Sequence, residues 1–363
     1  MSVLFTPARL GGLVVPNRFV RSATAERMAD ENGHPRDALS ELYRALAVGG
    51  VGLIISGYLY VDAGGKCHPE MTAIDDDDLI ASLAEVVAVV HEAGGRIAAQ
   101  INHGGAQCSR DTVPEAVAPS DIVADYIPQP ARALTEAEIA RVIRAYAESA
   151  RRARAAGFDA VQLHGAHGYL INQFLSPFTN RRTDEWGGNL ARRMRFLREV
   201  CRAVRSAVGP DTPVFIKLGV VDAVDGGPTL DEGLQVVAEL ESMGLDGVEL
   251  SGGIGGRRDF NSRMRIRHPE DEAYFRAFAK AARERTRLPI MLVGGLRSRQ
   301  VMEDVVTSGD ADFVSMSRPL ICEPDLPKRF QAGQGRAACI SVNRCWPQGP
   351  GEGIACRCGV QRD

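Results

Sequence analysis

Two imidazoles and a phenol, His164, His167 and Tyr169, stand within one six-residue run, His-Gly-Ala-His-Gly-Tyr. They follow Phe158 to Leu163, an apolar stretch whose β-branched and aromatic content suits a short buried strand. Where such a strand ends at a barrel mouth, all three side chains can face one cavity. They would offer it two hydrogen-bond donors for an oxyanion and one proton donor, which is reduction or enolisation chemistry in outline. The three-residue spacing of the histidines also raises metal ligation. A zinc site needs further ligands, however, and neither an HExxH pattern nor a nearby carboxylate supplies one, so oxygen binding by both rings is the better reading and no metal is expected there.

Lys217 closes the apolar run Val214-Phe215-Ile216-Lys217, where a buried ammonium is costly without an anionic or electron-rich partner. A neighbouring carboxylate would serve, but a ligand that accumulates negative charge explains the position better. A reduced flavin, anionic across N1 and O2, is such a ligand, and Gln100 can offer an amide donor and acceptor to its pyrimidine edge. Gly294-Gly295 before a helix, with Ser317-Arg318 after the last apolar run, has the makings of a barrel phosphate site. A tight turn and a surface arginine are the plainer alternative; the pairing favours a phosphorylated ligand.

The elements that must position these residues alternate along the chain. Candidate strands are Phe19 to Ala23, Val51 to Ser56, Arg96 to Ile101, Phe158 to His164, Val214 to Leu218, Gly247 to Ser251, Ile290 to Gly294 and Asp312 to Ser317. Helix-like stretches separate them, at 39–47, 79–93, 135–156, 190–208, 230–243, 273–285 and 299–308. Thr135 followed by Glu138 reads as a capping box. Small-residue turns at 93–95, 156–157, 243–244 and 308–309 read as helix stops feeding parallel strands. Eight strand-helix units favour a closed (β/α)8 TIM barrel, an α/β fold, over an open doubly wound sheet, although the pattern alone leaves both standing. No glycine-rich dinucleotide fingerprint marks the first strand-to-helix turn. In a barrel the chemistry belongs at the C-terminal strand ends, where Ala23-Thr24, Gly57, Gln100, His164, Lys217, Gly294-Gly295 and Ser317-Arg318 all fall.

The 363 residues are 45% hydrophobic and 25% charged, enough for a large core. A net charge of -3 argues against nucleic acid or an acidic membrane surface as the main partner, because both need a concentrated basic face. Arg151-Arg152 and Arg192-Arg193 sit on helix-like segments as solvated faces. There is no apolar run of about 18 residues, and Met-Ser-Val-Leu-Phe-Thr-Pro does not start a secretory signal. The expectation is a cytoplasmic protein. Cys339, Cys345, Cys356 and Cys358 crowd the last 25 residues, with nearly the spacing of an iron-sulfur or zinc site. Val342 occupies one ligand position, so a cluster would have to recruit both Cys356 and Cys358, and a degenerate tail is the better reading. We expect a barrel over 1–335 and a cysteine-containing tail over 336–363.

Together these segments resemble the Old Yellow Enzyme family of FMN-dependent ene-reductases, in the broader group that includes bacterial 2,4-dienoyl-CoA reductases and trimethylamine dehydrogenase. The resemblance covers nearly the whole chain. It is carried by Leu4-Phe5-Thr6-Pro7, Pro16-Asn17-Arg18, Gln100-Ile101-Asn102-His103-Gly104-Gly105, the block from His164 to Gly188, Ile216-Lys217-Leu218 and Ser317-Arg318-Pro319. It implies FMN at a barrel mouth, with Lys217 at N1 and O2, Gln100 at the pyrimidine edge, and Ala23, Thr24 and Gly57 along the ring. Gly294, Gly295, Ser317 and Arg318 would take the phosphate. His164 and His167 would grip the substrate's carbonyl or nitro oxygen and Tyr169 would donate the proton.

The implied reaction is ping-pong: NADPH or NADH reduces FMN, and an activated alkene such as an enone or nitroalkene then takes the hydride and a proton. A homo-oligomer is implied as well. Three positions depart from the family pattern. Ala25 stands where many relatives place threonine or cysteine, Ser317 replaces a frequent glycine, and Val342 breaks the four-cysteine set of the dienoyl-CoA reductase branch. Competing readings are an amine demethylase or dehydrogenase of the same flavin fold, a flavin-free lyase or isomerase using Lys217 as a Schiff-base amine, and a zinc-dependent interaction module built on the tail.

Overall fold

The computed structural model describes residues 2–359. Its main sheet is a closed ring of eight parallel strands: β1 (Phe19–Arg21), β2 (Leu53–Ile55), β3 (Ile97–Asn102), β4 (Ala160–Gly165), β5 (Val214–Gly219), β6 (Gly247–Ser251), β7 (Ile290–Val293) and β8 (Phe313–Met316). Each strand pairs with the next in sequence, and β8 pairs with β1 to close the ring. The open doubly wound alternative is thereby removed. All eight expected strands form, four of them one or two residues shorter than the apolar runs that predict them.

Seven helices follow the strands on the outside: α1 (Asp37–Val48), α2 (Leu79–Glu92), α3 (Glu136–Ala155), α4 (Arg195–Val208), α5 (Leu230–Glu239), α6 (Arg276–Arg283) and α7 (Arg299–Thr307). The Thr135 capping box is present, with Thr135 Oγ1 accepting from Glu138 N and Glu138 accepting from Thr135 N. The stretch 190–208 is not one helix. It breaks at Met194 into Leu190–Arg193 and α4, and Arg193 turns inward to donate to the carbonyls of Leu175 and Gly188. The four helix stops hold glycines with left-handed φ, from 77° at Gly94 and Gly309 to 91° at Gly157, a conformation in which a Cβ is strained.

Side-chain alternation divides the ring into an outer and an inner face. The outer face packs on the helices. The inner face stacks Val20, Leu53, Ile55, Ala98, Ala160, Phe215, Met291 and Phe313 into an apolar plug. An antiparallel hairpin the sequence reading did not anticipate, Ala8–Leu10 with Leu13–Val15, closes the lower end by adding Leu10 and Val15 to that plug. One pleat higher the inward residues turn polar: Ser22, Gln100, Gln162, Lys217, Glu249 and Ser315, all buried. The strands thus lift the chemistry onto an apolar base. Truncating that base, as in Phe215→Ala, would cost about 3–5 kcal/mol.

Residues of the tail lie against the barrel mouth: Arg265 N donates to Ser341 O and Ile354 N donates to Glu26 O. Among the described residues no helix is long and apolar enough to cross a membrane.

Candidate active site

The C-terminal strand ends open into one cavity of about 300 Å3. Nine of the residues expected at a site line it: Ala23, Thr24, His164, His167, Tyr169, Lys217, Gly295, Ser317 and Arg318. Three others stand one layer behind the wall. Gly57 has its amide on Glu26 and the Tyr43 hydroxyl, Gly294 precedes the wall residue Gly295, and Gln100 donates its amide to Gln162 Oε1 at 2.6 Å.

His164 ends β4 in register with Lys217 on β5. Its Nδ1 accepts from Ala166 N at 3.3 Å, which leaves the ring proton on Nε2 as a donor. His167 has a left-handed backbone (φ 61°) and sets Nε2 2.8 Å from Ser251 Oγ. With that hydroxyl as donor, the ring proton of His167 sits on Nδ1. Burial, followed by the charge of Lys217, pushes His167 down to about 3; burial, then His167 and Lys217, lowers His164 strongly as well. Both rings are therefore neutral donors at physiological pH.

The loop that presents these groups is fastened from below. Gly168 N donates to Asn172 Oδ1 at 2.7 Å, Asn172 Nδ2 donates to Asp222 Oδ1 at 3.1 Å, and Gln173 Nε2 reaches Gly168 O. Tyr169 results, with its ring edge-on to His164 at 4.6 Å between centroids. Burial, then neighbouring Tyr58, raises its phenol well above the usual range. Such a phenol stays protonated until a strong base meets it.

Sequence reasoning missed Tyr58 and Glu249. Tyr58 lines the cavity with its ring 5.2 Å from that of Tyr169. Its one signal was position, just beyond β2. Glu249 carries the same signal as Lys217, a charge inside an apolar strand, and the two are register partners with Nζ and Oε2 3.3 Å apart. The carboxylate partner weighed against a ligand for Lys217 thus exists. Lys217 also donates to Ser22 Oγ at 2.8 Å, so its amine is tied to two oxygens. Schiff-base chemistry would need that amine freed from both.

A flavin mononucleotide fits this wall. Ser315 Oγ is buried on it without a partner, one pleat below Ser317, and Gln100 Oε1 is likewise unsatisfied. Gly295 (φ 71°) leaves open the space where a Cβ would press 2.9 Å against Tyr274. Arg318 opens the short helix Arg318–Cys322 and is braced by Arg263 O and Asn343 Oδ1. Backbone, hydroxyls and guanidinium there suit a phosphate. Ser317 Oγ and Thr24 Oγ1 lie 2.8 Å apart, so the serine that departs from the family pattern has a local partner. In the tail, Cys345 lines the cavity, and Cys356 adds to the burial that raises the Cys322 and Cys358 thiols. Among the described residues no group of three or more His, Cys, Asp or Glu is gathered as for a metal ion.

A parallel barrel whose mouth combines a glycine turn and arginine suited to phosphate, a buried lysine–glutamate pair and two buried imidazoles has the parts of a flavin-binding site. The chain belongs to the NADH:flavin oxidoreductase / NADH oxidase family, whose model matches residues 3–336, and its flavin is FMN. It is 37% identical over 347 residues to an NADH oxidase of Thermoanaerobacter brockii, covering 94% of this chain and 52% of the relative. Among solved structures, a 2-naphthoyl-CoA reductase complex matches with a TM-score of 0.87 at 27% identity, over 93% of this chain and 54% of that one. An Old Yellow Enzyme homologue from Zymomonas mobilis matches with a TM-score of 0.79 at 26% identity, over 92% and 94%. The chain thus spans about half the length of the first two.

Proposed function

We propose that this chain is an ene-reductase, reducing activated C=C bonds of small enones, nitroalkenes and related acceptors with electrons from NADH or NADPH. The observation that carries the reading is the triad of His164, His167 and Tyr169 on one wall, two neutral donors beside a protonated phenol, next to Lys217 on the neighbouring strand. FMN, when bound, supplies the hydride that reaches the substrate's β-carbon. Lys217, Ala23, Thr24, Gly295, Ser317 and Arg318 hold it directly in this reading. Gly57, Gln100 and Gly294 support it from the layer behind.

His164 Nε2–H and His167 Nδ1–H take the substrate's carbonyl or nitro oxygen. Being neutral, they stabilise the negative charge that grows on that oxygen without giving up a proton. Tyr169 then releases its O–H proton to the α-carbon, so the alkene gains one hydride and one proton in all. The Tyr58 hydroxyl supports the phenolate left behind. The same reading divides the chain into a flavin barrel over 1–335 and a tail over 336–363, and includes a cytoplasmic homo-oligomer. Stopped-flow measurement of the two half-reactions tests it: alkene-dependent reoxidation must depend on Tyr169, and flavin reduction must not.

A further inference from the structure

Below the cavity wall lies a carboxylate that the proposed reaction leaves without a task. Glu249 points inward from the middle of β6 and has no exposed surface. Its Oε2 stands 3.3 Å from Lys217 Nζ and accepts from Gln162 Nε2 at 3.3 Å. Gln162 Oε1 in turn accepts from Gln100 Nε2, and Lys217 donates to Ser22 Oγ. Five buried side chains, one just past β1 and one each on β3 through β6, thus form one chain of hydrogen bonds and an ion pair across the barrel. Two of its oxygens, Glu249 Oε1 at the centre and Gln100 Oε1 at one end, have no partner.

Packing does not account for this arrangement. A buried ion pair seldom outperforms well-packed apolar residues in stability, because desolvating both charges offsets their attraction. The apolar plug directly beneath shows that this barrel fills its lower layers with hydrocarbon. A pair retained one layer higher, at the cavity, bears on the ligand's charge.

We infer that Glu249 is a positioning residue that balances the charge of Lys217 and so lowers the reduction potential of the flavin. The inference rests on the reading that places the flavin's pyrimidine edge at Lys217. Hydride transfer from NAD(P)H adds one hydrogen nucleus and two electrons to the ring and releases NAD(P)+, so the ring gains one negative charge, spread over N1 and O2. An isolated ammonium beside that edge favours the reduced form strongly in a water-poor site. An ammonium paired with Glu249 presents little net charge and favours it less. The pair therefore keeps the reduced flavin energetic enough to deliver its hydride onward while Nζ stays aimed by two oxygens, Ser22 Oγ and Glu249 Oε2.

The test is the FMN midpoint potential at pH 7, measured against reference dyes in the flavin-loaded protein, with sulfite affinity as a second spectral reading. Glu249→Gln should raise the potential, shifting the reduced-to-oxidised ratio by tenfold or more, which is about 30 mV for two electrons. It should tighten sulfite binding in parallel. Lys217→Met should lower the potential. The double variant Lys217→Met/Glu249→Gln, a neutral pair of similar volume, should return close to the wild-type value, and it keeps the test decisive if Glu249→Gln alone does not fold. A double variant as low as Lys217→Met, or a Glu249→Gln protein at the wild-type potential, would overturn the role of Glu249 while leaving the flavin placement intact. If Lys217→Met leaves the potential unchanged, the flavin does not lie against Lys217 and the placement itself fails.

Discussion

The rings of Tyr58 and Tyr169 lie 5.2 Å apart between centroids and tilted by 48°, although the two residues follow different strands of the barrel. Each phenol is half-buried on the cavity wall, and desolvation raises both above the ordinary tyrosine range. A proton held this tightly leaves only for a carbanion-like centre, which suits the last step of alkene reduction. Tyr169→Phe should therefore slow alkene-dependent flavin reoxidation by about 10²–10⁴-fold, the scale of general acid catalysis. Flavin reduction by NADPH should stay within a few-fold of wild type. Rapid-mixing absorbance at the flavin band checks both; equal loss in the two half-reactions would remove Tyr169 from the proton-donor role.

Tyr58→Phe takes away the partner and leaves the donor. One neutral hydrogen bond is worth about 1 kcal/mol, so the reoxidation step should slow by roughly five- to tenfold. Because both residues act on the same proton, the double phenylalanine variant should be no slower than Tyr169→Phe alone. Additive losses would show that Tyr58 acts independently, by contact with substrate.

The imidazoles should remain neutral through the working range. Burial lowers His164 strongly and brings His167 to about 3. Nitrogen-15 chemical shifts should accordingly report neutral rings for both from pH 8 down to pH 5.5, and the reoxidation rate should show no inflection from them there. The linked effect on stability has a definite sign. Folded His167 binds its proton less readily than an unfolded histidine near 6.5, so its contribution is present above pH 6.5 and is lost as the pH falls below it. An imidazolium signal at pH 6 would contradict this.

Asp222 has the opposite sign. Burial raises it from 3.8 to about 6, against hydrogen bonds from Ser176 and Asn172 that favour the charged form. The folded state thus holds the proton more tightly than the unfolded chain. Its contribution is fully present below about pH 4 and is lost as the pH rises to 6, by about 3 kcal/mol for two pH units. Asp222→Asn keeps a partner for Asn172 and should remove that slope, which chemical unfolding at pH 4, 5, 6 and 7 would show. An unchanged slope would place the titration elsewhere.

Much of this was legible in the residues themselves. The eight strands announce themselves as short apolar runs, and Gly94 and Gly157 mark helix ends because few other residues tolerate their backbone. His164, Lys217 and Arg318 are visible because polar groups at strand ends are costly without a task. Glu249 carried that same mark, and its pairing with Lys217 is fixed by register between neighbouring strands, which only the closed ring supplies. The Tyr58–Tyr169 contact joins loops more than 100 positions apart in sequence, with no local pattern to announce it. Gln100 shows a further limit: its place was legible, but the direction of its amide, toward Gln162, depends on the neighbouring strand. The hairpin that plugs the barrel floor was missed because its three-residue strands are too short to establish alternation.

The central claim is tested most directly by one anaerobic absorbance experiment on the purified protein, adding NADPH first and 2-cyclohexenone second. The account predicts a flavin band that bleaches with NADPH and returns with the enone. A band that bleaches and stays bleached in the presence of the enone would contradict the ene-reductase reading, and a colourless protein that takes up no FMN would contradict the flavin site itself.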